Sequence, residues 1–252
     1  MYLFSMTTYP NENQKVDDYK KFQEEQDWYF SALSKNGQIL MKSCTTVFDD
    51  SNFTTYFLAP ENDSLDINND NIYVKRFYSE FMAICREKPD LKMLAKSSDY
   101  PASCKCESPS WYMLYTDHLV SESPVVCGNC ENTVPLYKLP KILKEDEYFS
   151  VLNWQKAYNA CDTLFMNGIA ERLAYQRLSK VTSDLSVLGR NICKEFELAT
   201  GKSFFYYLFR YKSHHKAACP ICGKHWELDN NNQLFIDYRC DDCRIVADKV
   251  KK

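Results

Sequence analysis

Cys219, Cys222, Cys240 and Cys243 stand as two Cys-x2-Cys pairs separated by seventeen residues. Thiols in that pattern bind zinc. Each pair, Cys-Pro-Ile-Cys and Cys-Asp-Asp-Cys, turns two sulfurs toward one point, and a hairpin in the gap brings the pairs together for tetrahedral coordination. Four thiolates leave no position for water or substrate, so the expected metal holds a fold rather than catalysing. Its binding energy is folding energy for a segment too short to bury much core. Trp226 and Leu228, the run Asp229 to Asn232, then Leu234, Ile236 and Tyr238 read as strand, turn and strand, with Ile245 and Val246 as a third strand. The competing readings are four ordinary buried cysteines or two disulfides, and His225 is a spare candidate ligand.

A second set lies upstream, where Cys104-Lys105-Cys106 is followed after twenty residues by Cys127-Gly128-Asn129-Cys130. The Cys-Gly-Asn-Cys turn suits a metal knuckle, because glycine relieves strain where amides close round a sulfur. A second zinc site is one reading of these four cysteines; small buried cysteines or a redox pair are the others. Pro135 and Pro140 follow where a thioredoxin-like pair would open a helix, which disfavours the redox context. Trp111 to Thr116 reads as a strand with His118 just beyond it, a lone histidine expected to be solvated or hydrogen-bonded rather than ligating.

Phe204 to Tyr211 is aromatic on both strand faces. Bases could stack there, with Arg210, Lys212 and Lys216 engaging phosphates. The alternative is a central strand buried on both sides. No phosphate-cradling glycine loop, nucleophile elbow or His-Glu-x-x-His is present, and Cys161 and Cys193 fall on apolar helical faces where a thiol is inert. The expectation is a non-enzyme.

The elements that must position these groups divide into three parts. Residues 1–98 read as strand, helix, strand, strand, helix, strand: Tyr2 to Tyr9, a helix carrying Tyr19, Phe22, Tyr29, Phe30 and Leu33, short strands at Ile39–Met41 and Phe53–Leu58, a helix carrying Tyr73, Phe77 and Phe81, and a strand at Leu91–Leu94. That order is the ferredoxin-like α+β motif. Residues 99–200 combine the cysteine-rich knuckle with two helices, one from Trp154 to Phe165 stopped at Asn167-Gly168, the other striped by Leu178, Val181, Leu185, Leu188, Ile192 and Phe196 with Gly201 as its cap. Residues 201–252 hold the aromatic strand and the ribbon.

At 252 residues, 45% hydrophobic and 15% aromatic, the chain can bury sizeable cores. Its start lacks the features of a signal peptide and no long apolar run occurs, so the cytoplasm is expected, with no membrane partner. In a reducing compartment twelve cysteines favour metal over disulfides. Net charge is −3; residues 201–252 carry ten Lys or Arg against six Asp or Glu, which leaves −7 for residues 1–200. Nucleic-acid binding by the C-terminal part is permitted rather than demanded.

Ser110 to Thr116, Cys127 to Cys130 with Val134 to Pro140, Trp154 through Cys161-Asp162 to Gly168, Gly189 to Cys193, Thr200 to Leu208 and the terminal ribbon together resemble a family of uncharacterised bacterial proteins described as zinc-ribbon-containing, with nucleic-acid binding as the suggested role. The resemblance spans most of residues 100–248 and implies shared architecture without a mechanism. The resulting expectation is a non-enzymatic zinc-binding protein that meets DNA or RNA through its ribbon and residues 202–216. The alternative is a protein-interaction module, such as a toxin-neutralising immunity protein whose acidic N-terminal surface covers a basic partner. No small-molecule substrate is expected.

Overall fold

The computed structural model describes residues 1–11, 16–49, 51–211, 218–229 and 235–248. The chain forms two compact units, the first of residues 1–103, 121–123 and 133–148, the second of residues 104–120, 124–132 and 149–252.

In the first unit the elements run β1 (Tyr2–Thr8), α1 (Val16–Lys35), β2 (Leu40–Phe48), β3 (Phe53–Ala59), α2 (Ile72–Met82) and β4 (Asp90–Lys96). The sheet order is β2-β3-β1-β4, antiparallel throughout. This is the expected ferredoxin-like arrangement. Alternation explains it: Phe4 and Met6 pair with Phe57 and Thr55, so one face of the central strands is apolar. Phe22, Phe30 and Leu33 of α1 and Val74 and Phe81 of α2 bury against that face. Asn71 caps α2 by accepting the Val74 amide. β2 runs well past the expected Ile39–Met41. Its continuation, Lys42 to Phe48, is half-buried or exposed edge strand, so β-branched Thr45, Thr46 and Val47 extend the ladder without an apolar period.

Residues 133–148 belong to this first unit, although they were expected in the middle part. Tyr137 donates its hydroxyl to the buried Glu61 at 2.8 Å, and Lys138 pairs with the same carboxylate.

The second unit is built on β5 (Trp111–Leu114), β6 (Val125–Cys127), α3 (Phe149–Met166), α4 (Glu171–Ser179), α5 (Asp184–Thr200), β7 (Ser203–Tyr207), β8 (Tyr238–Cys240) and β9 (Ile245–Ala247). Its sheet order is β6-β5-β7-β9-β8. β5, β7 and β9 are parallel, and the outer strands β6 and β8 run against them. The helices form the crossover from β5 to β7, as a parallel pair requires. Phe204 and Tyr206 meet α5 and α3 through Phe196 and Trp154. On the other face Phe205 and Tyr207 pack with Trp111, Met113, Val246 and Ile236. The aromatic strand is therefore a central strand, with Phe204, Phe205 and Tyr206 fully buried, and offers no platform to bases. A continuous sheet crosses the boundary expected at residue 200.

The long stripe from Leu178 to Phe196 is two helices, because Ser183 accepts the Ser186 amide and starts α5 afresh. Gly201 ends α5 in the left-handed conformation, as expected. Within α5, Gly189 lets Tyr206 and Trp154 lie against the helix backbone; a Cβ there would stand 2.3 Å from the Tyr206 ring and 2.7 Å from the Trp154 indole nitrogen. Gly189→Ala should therefore lower stability by about 1–3 kcal/mol through overpacking, read as a shift of the urea midpoint at unchanged slope.

Candidate metal centres

Three of the knuckles are the same backbone turn. Gly223 donates its amide to the Cys219 carbonyl and Glu131 donates to that of Cys127, each at 2.9 Å. Gly223, Glu131 and Arg244, the residues following Cys222, Cys130 and Cys243, all have positive φ. That left-handed residue turns the chain back once both sulfurs face inward. Glycine takes it without strain; Glu131 and Arg244 adopt it against their own preference, held by surrounding contacts. The Cys104-Lys105-Cys106 arm runs outside any helix or turn. Alternate residues of an extended chain share a side, so Cys-x-Cys can also offer two sulfurs together.

The four Sγ atoms of Cys219, Cys222, Cys240 and Cys243 all lie within 4.8 Å of one another, as do those of Cys104, Cys106, Cys127 and Cys130. Cys222 and Cys240 are 3.6 Å apart at sulfur. Four thiolates 2.3 Å from a tetrahedral ion stand about 3.8 Å from each other, so the spacing fits a bound metal and excludes a disulfide. All twelve cysteines are free thiols. Among the described residues these two quartets are the groups able to hold a metal ion. His225 is exposed and outside both.

Burial, followed by the neighbouring sulfurs, pushes the Cys104 and Cys243 thiols up. The Lys224 amide acts oppositely and holds Cys222 down to about 7. An amide aimed at a sulfur favours the thiolate form that a metal ion needs. The Asn129 amide points at Cys127 Sγ from 3.4 Å.

Both quartets stand at the same end of the sheet. Cys127 ends β6 opposite Tyr112, and Cys240 ends β8 opposite Ile245, so each lies beside the amino ends of the parallel strands, one on each flank. Trp111 links them: its ring covers Gly128, where a Cβ would come within 2.0 Å, and Arg239 lies 4.9 Å from the same ring. Arg244, next to Cys243, forms a bidentate pair with Glu197 of α5 at 2.9 to 3.2 Å, and Glu197 also accepts the Phe204 amide. The terminal knuckle is thereby tied to helix and sheet, a link that neither residue's sequence context announces.

Of the basic residues expected to meet nucleic acid, Arg210 is among the described ones. Arg210 lies over the rings of Trp226 and Tyr238, 5.1 and 5.2 Å from their centroids. Lys212 and Lys216, like the turn at Asn230 to Asn232, lie outside the described residues. His118 is hydrogen-bonded, as a lone histidine was expected to be, and its partner is Asp162. Cys193 is buried, with its thiol pushed up by burial.

These observations define a two-unit α+β protein with two four-cysteine sites on one sheet. Residues 1–95, 106–209 and 209–249 match three families described as domains of unknown function, DUF8589, DUF2310 and DUF8594. A Haemophilus influenzae protein named "Uncharacterized protein" is 31% identical over 224 residues, 84% of this chain and 85% of that one. A second protein of that organism and name is 37% identical over 148 residues, 56% of this chain and 71% of its own. The chain belongs to the family of the first of these bacterial proteins. Two solved structures, titled "Crystal structure of antibiotic biosynthesis monooxygenase" and "Crystal structure of a conserved protein from Methanosarcina mazei Go1", are 12% and 10% identical with TM-scores of 0.31 and 0.30. Each covers 38% of this chain, and 99% and 95% of its own length. The ferredoxin-like assignment rests on strand order instead. Among the described residues no helix is long and apolar enough to cross a membrane.

Two outcomes follow from the site. Cys127→Ser and Cys219→Ser should each remove one bound metal ion while amide exchange in residues 1–96 stays protected, read by metal analysis and hydrogen exchange; unchanged metal content in both would refute the assignment. The Arg244 hydrogen bond, ahead of burial, holds the Glu197 carboxyl below its usual 4.5. Such a group contributes stability above its unfolded value and loses it as pH falls through the folded one. Glu197→Gln should cost about 1 kcal/mol near neutrality, a partly exposed pair being screened. The gap between variant and wild type should close below pH 4.5 in parallel urea melts.

Proposed function

We propose that the protein is a non-enzymatic binding protein in which zinc, held by both cysteine quartets, fastens the amino end of the second unit's sheet. The supporting observation is the convergence of two complete sets of four sulfurs. A soft, all-thiolate donor set selects zinc over the hard cations, and four protein ligands leave no open coordination position for catalysis. Zinc here supplies cross-linking.

For the partner, we retain nucleic acid met through the C-terminal ribbon, a reading that now rests on Lys212, Lys216 and the net positive charge of residues 201–252. Burial of the aromatic strand removes base stacking from it. A specific observation favours the alternative, a protein partner: Leu164, Met166, Ile169 and Leu173 stand exposed around the turn from α3 to α4. Clustered exposed apolar side chains mark contact surfaces.

Protein purified without added metal should carry two zinc ions per chain. If nucleic acid is the partner, the chain should be retained on immobilised DNA or RNA at low salt, released as salt rises, and lose retention when Lys212 and Lys216 are replaced by Ala. Absent retention at low salt, together with loss of a co-purifying protein on Met166→Asp and Ile169→Asp, would establish the protein partner instead.

A further inference from the structure

One edge of the first unit's sheet is apolar and uncovered. β4 pairs with β1 alone, and among the described residues no strand lies along its other side. Every residue from Leu91 to Lys96 is exposed. Leu91, Met93 and Leu94 are 41, 55 and 47% exposed and stand outside the unit's core, although apolar strand residues ordinarily have a face to cover. An unpaired edge of this kind invites another strand, and natural sheets guard such edges with charge, proline or a bulge.

β4 carries all three guards, and their placement decides what the edge admits. Directly opposite residues share a face, so Met6 and Phe4 of β1 set Leu91 and Met93 on the helix-covered side. Thr7 and Ser5 set Asp90 and Lys92 on the other. Phe4 and Met6 are buried, whereas Leu91 and Met93 carry the same apolar surface on past its cover. On the opposite face Lys92 pairs with Asp90 at 2.6 Å, both side chains being exposed. The register slips between Met93 and Ala95, so a bulge at Leu94 breaks the alternation there. Pro89 stands just before the strand. The regular edge therefore runs from Pro89 to Met93.

Such a segment, with one acid and one base two positions apart, is complementary to its own reverse. Antiparallel pairing about a two-fold axis at Leu91 sets Asp90 opposite Lys92 of a second copy, and Lys92 opposite that copy's Asp90. Leu91 then meets Leu91, and Met93 meets Pro89. Other registers fail. An axis at Asp90 or Lys92 sets like charges against each other, and one at Met93 runs the ladder into the bulge. Charge and register thus fit one occupant, which is the same strand of another chain.

We propose that β4 is a self-association edge, through which two copies of the chain pair antiparallel about Leu91 and join their four-stranded sheets into one. The strand order becomes β2-β3-β1-β4-β4-β1-β3-β2, with Leu91 and Met93 of both copies forming one apolar strip and Asp90 and Lys92 a ring of four alternating charges. The ladder is short, so the association is weak and depends on concentration. It uses no cysteine and no metal, and stands apart from the partner of the second unit.

Sedimentation of the full-length, metal-loaded chain from about 1 μM to about 1 mM should show the mass climbing from one 29.6 kDa chain toward two. Lys92→Asp leaves the strand with two acids, and Asp90→Lys leaves it with two bases. Each variant alone should associate about tenfold more weakly or worse, because like charges then face each other across the axis. The two variants mixed in equal amounts should dimerise as the wild type does, since every acid again meets a base. A folding defect cannot produce that recovery. A chain that stays monomeric over the whole range, a dimer indifferent to both substitutions, or a mixture that fails to recover would overturn the proposal.

Discussion

Eight thiols drawn into two quartets at one end of a single sheet form the constraint on which the second unit depends. Its strands are three to five residues long, too short for ladder hydrogen bonds alone to resist fraying. Each outer strand ends in a cysteine knuckle, so closing the quartets fixes both flanks. The requirement is electrostatic as well as geometric, because buried neighbouring sulfurs resist ionising together and a dication removes the conflict.

From that clamp the rest of the unit follows. Trp111 covers Gly128 of one knuckle and meets Arg239 beside the other. Arg244 fastens the terminal knuckle to α5 through Glu197, which also holds the first residues of β7. At the carboxyl end of the same sheet stand two hydrogen-bonded pairs, His118 with Asp162 and Tyr207 with Asp248.

The two cysteine quartets were more legible than the sheet that carries them. Paired cysteines at short spacing announce themselves because the ligand geometry of a knuckle is local. Strand Val125–Cys127 and the break at Ser183 were not legible: three apolar residues carry no period, and an apolar stripe continues across a cap when both helices pack on one core. β2 was read too short because an edge strand needs no buried face. Glu131 and Arg244 gave no warning of their left-handed conformations, which tertiary contacts impose.

By itself the sequence determined the first unit's strand and helix order and the two cysteine sets, since each follows from spacing along the chain or from apolar faces that must be covered. Tertiary structure alone decided that the cysteine-rich middle and the ribbon share one sheet and that β5, β7 and β9 run parallel. Those are long-range pairings. Nothing in a local pattern specifies them, because strand partners are chosen by the packing of whole faces and by where the crossover helices return the chain.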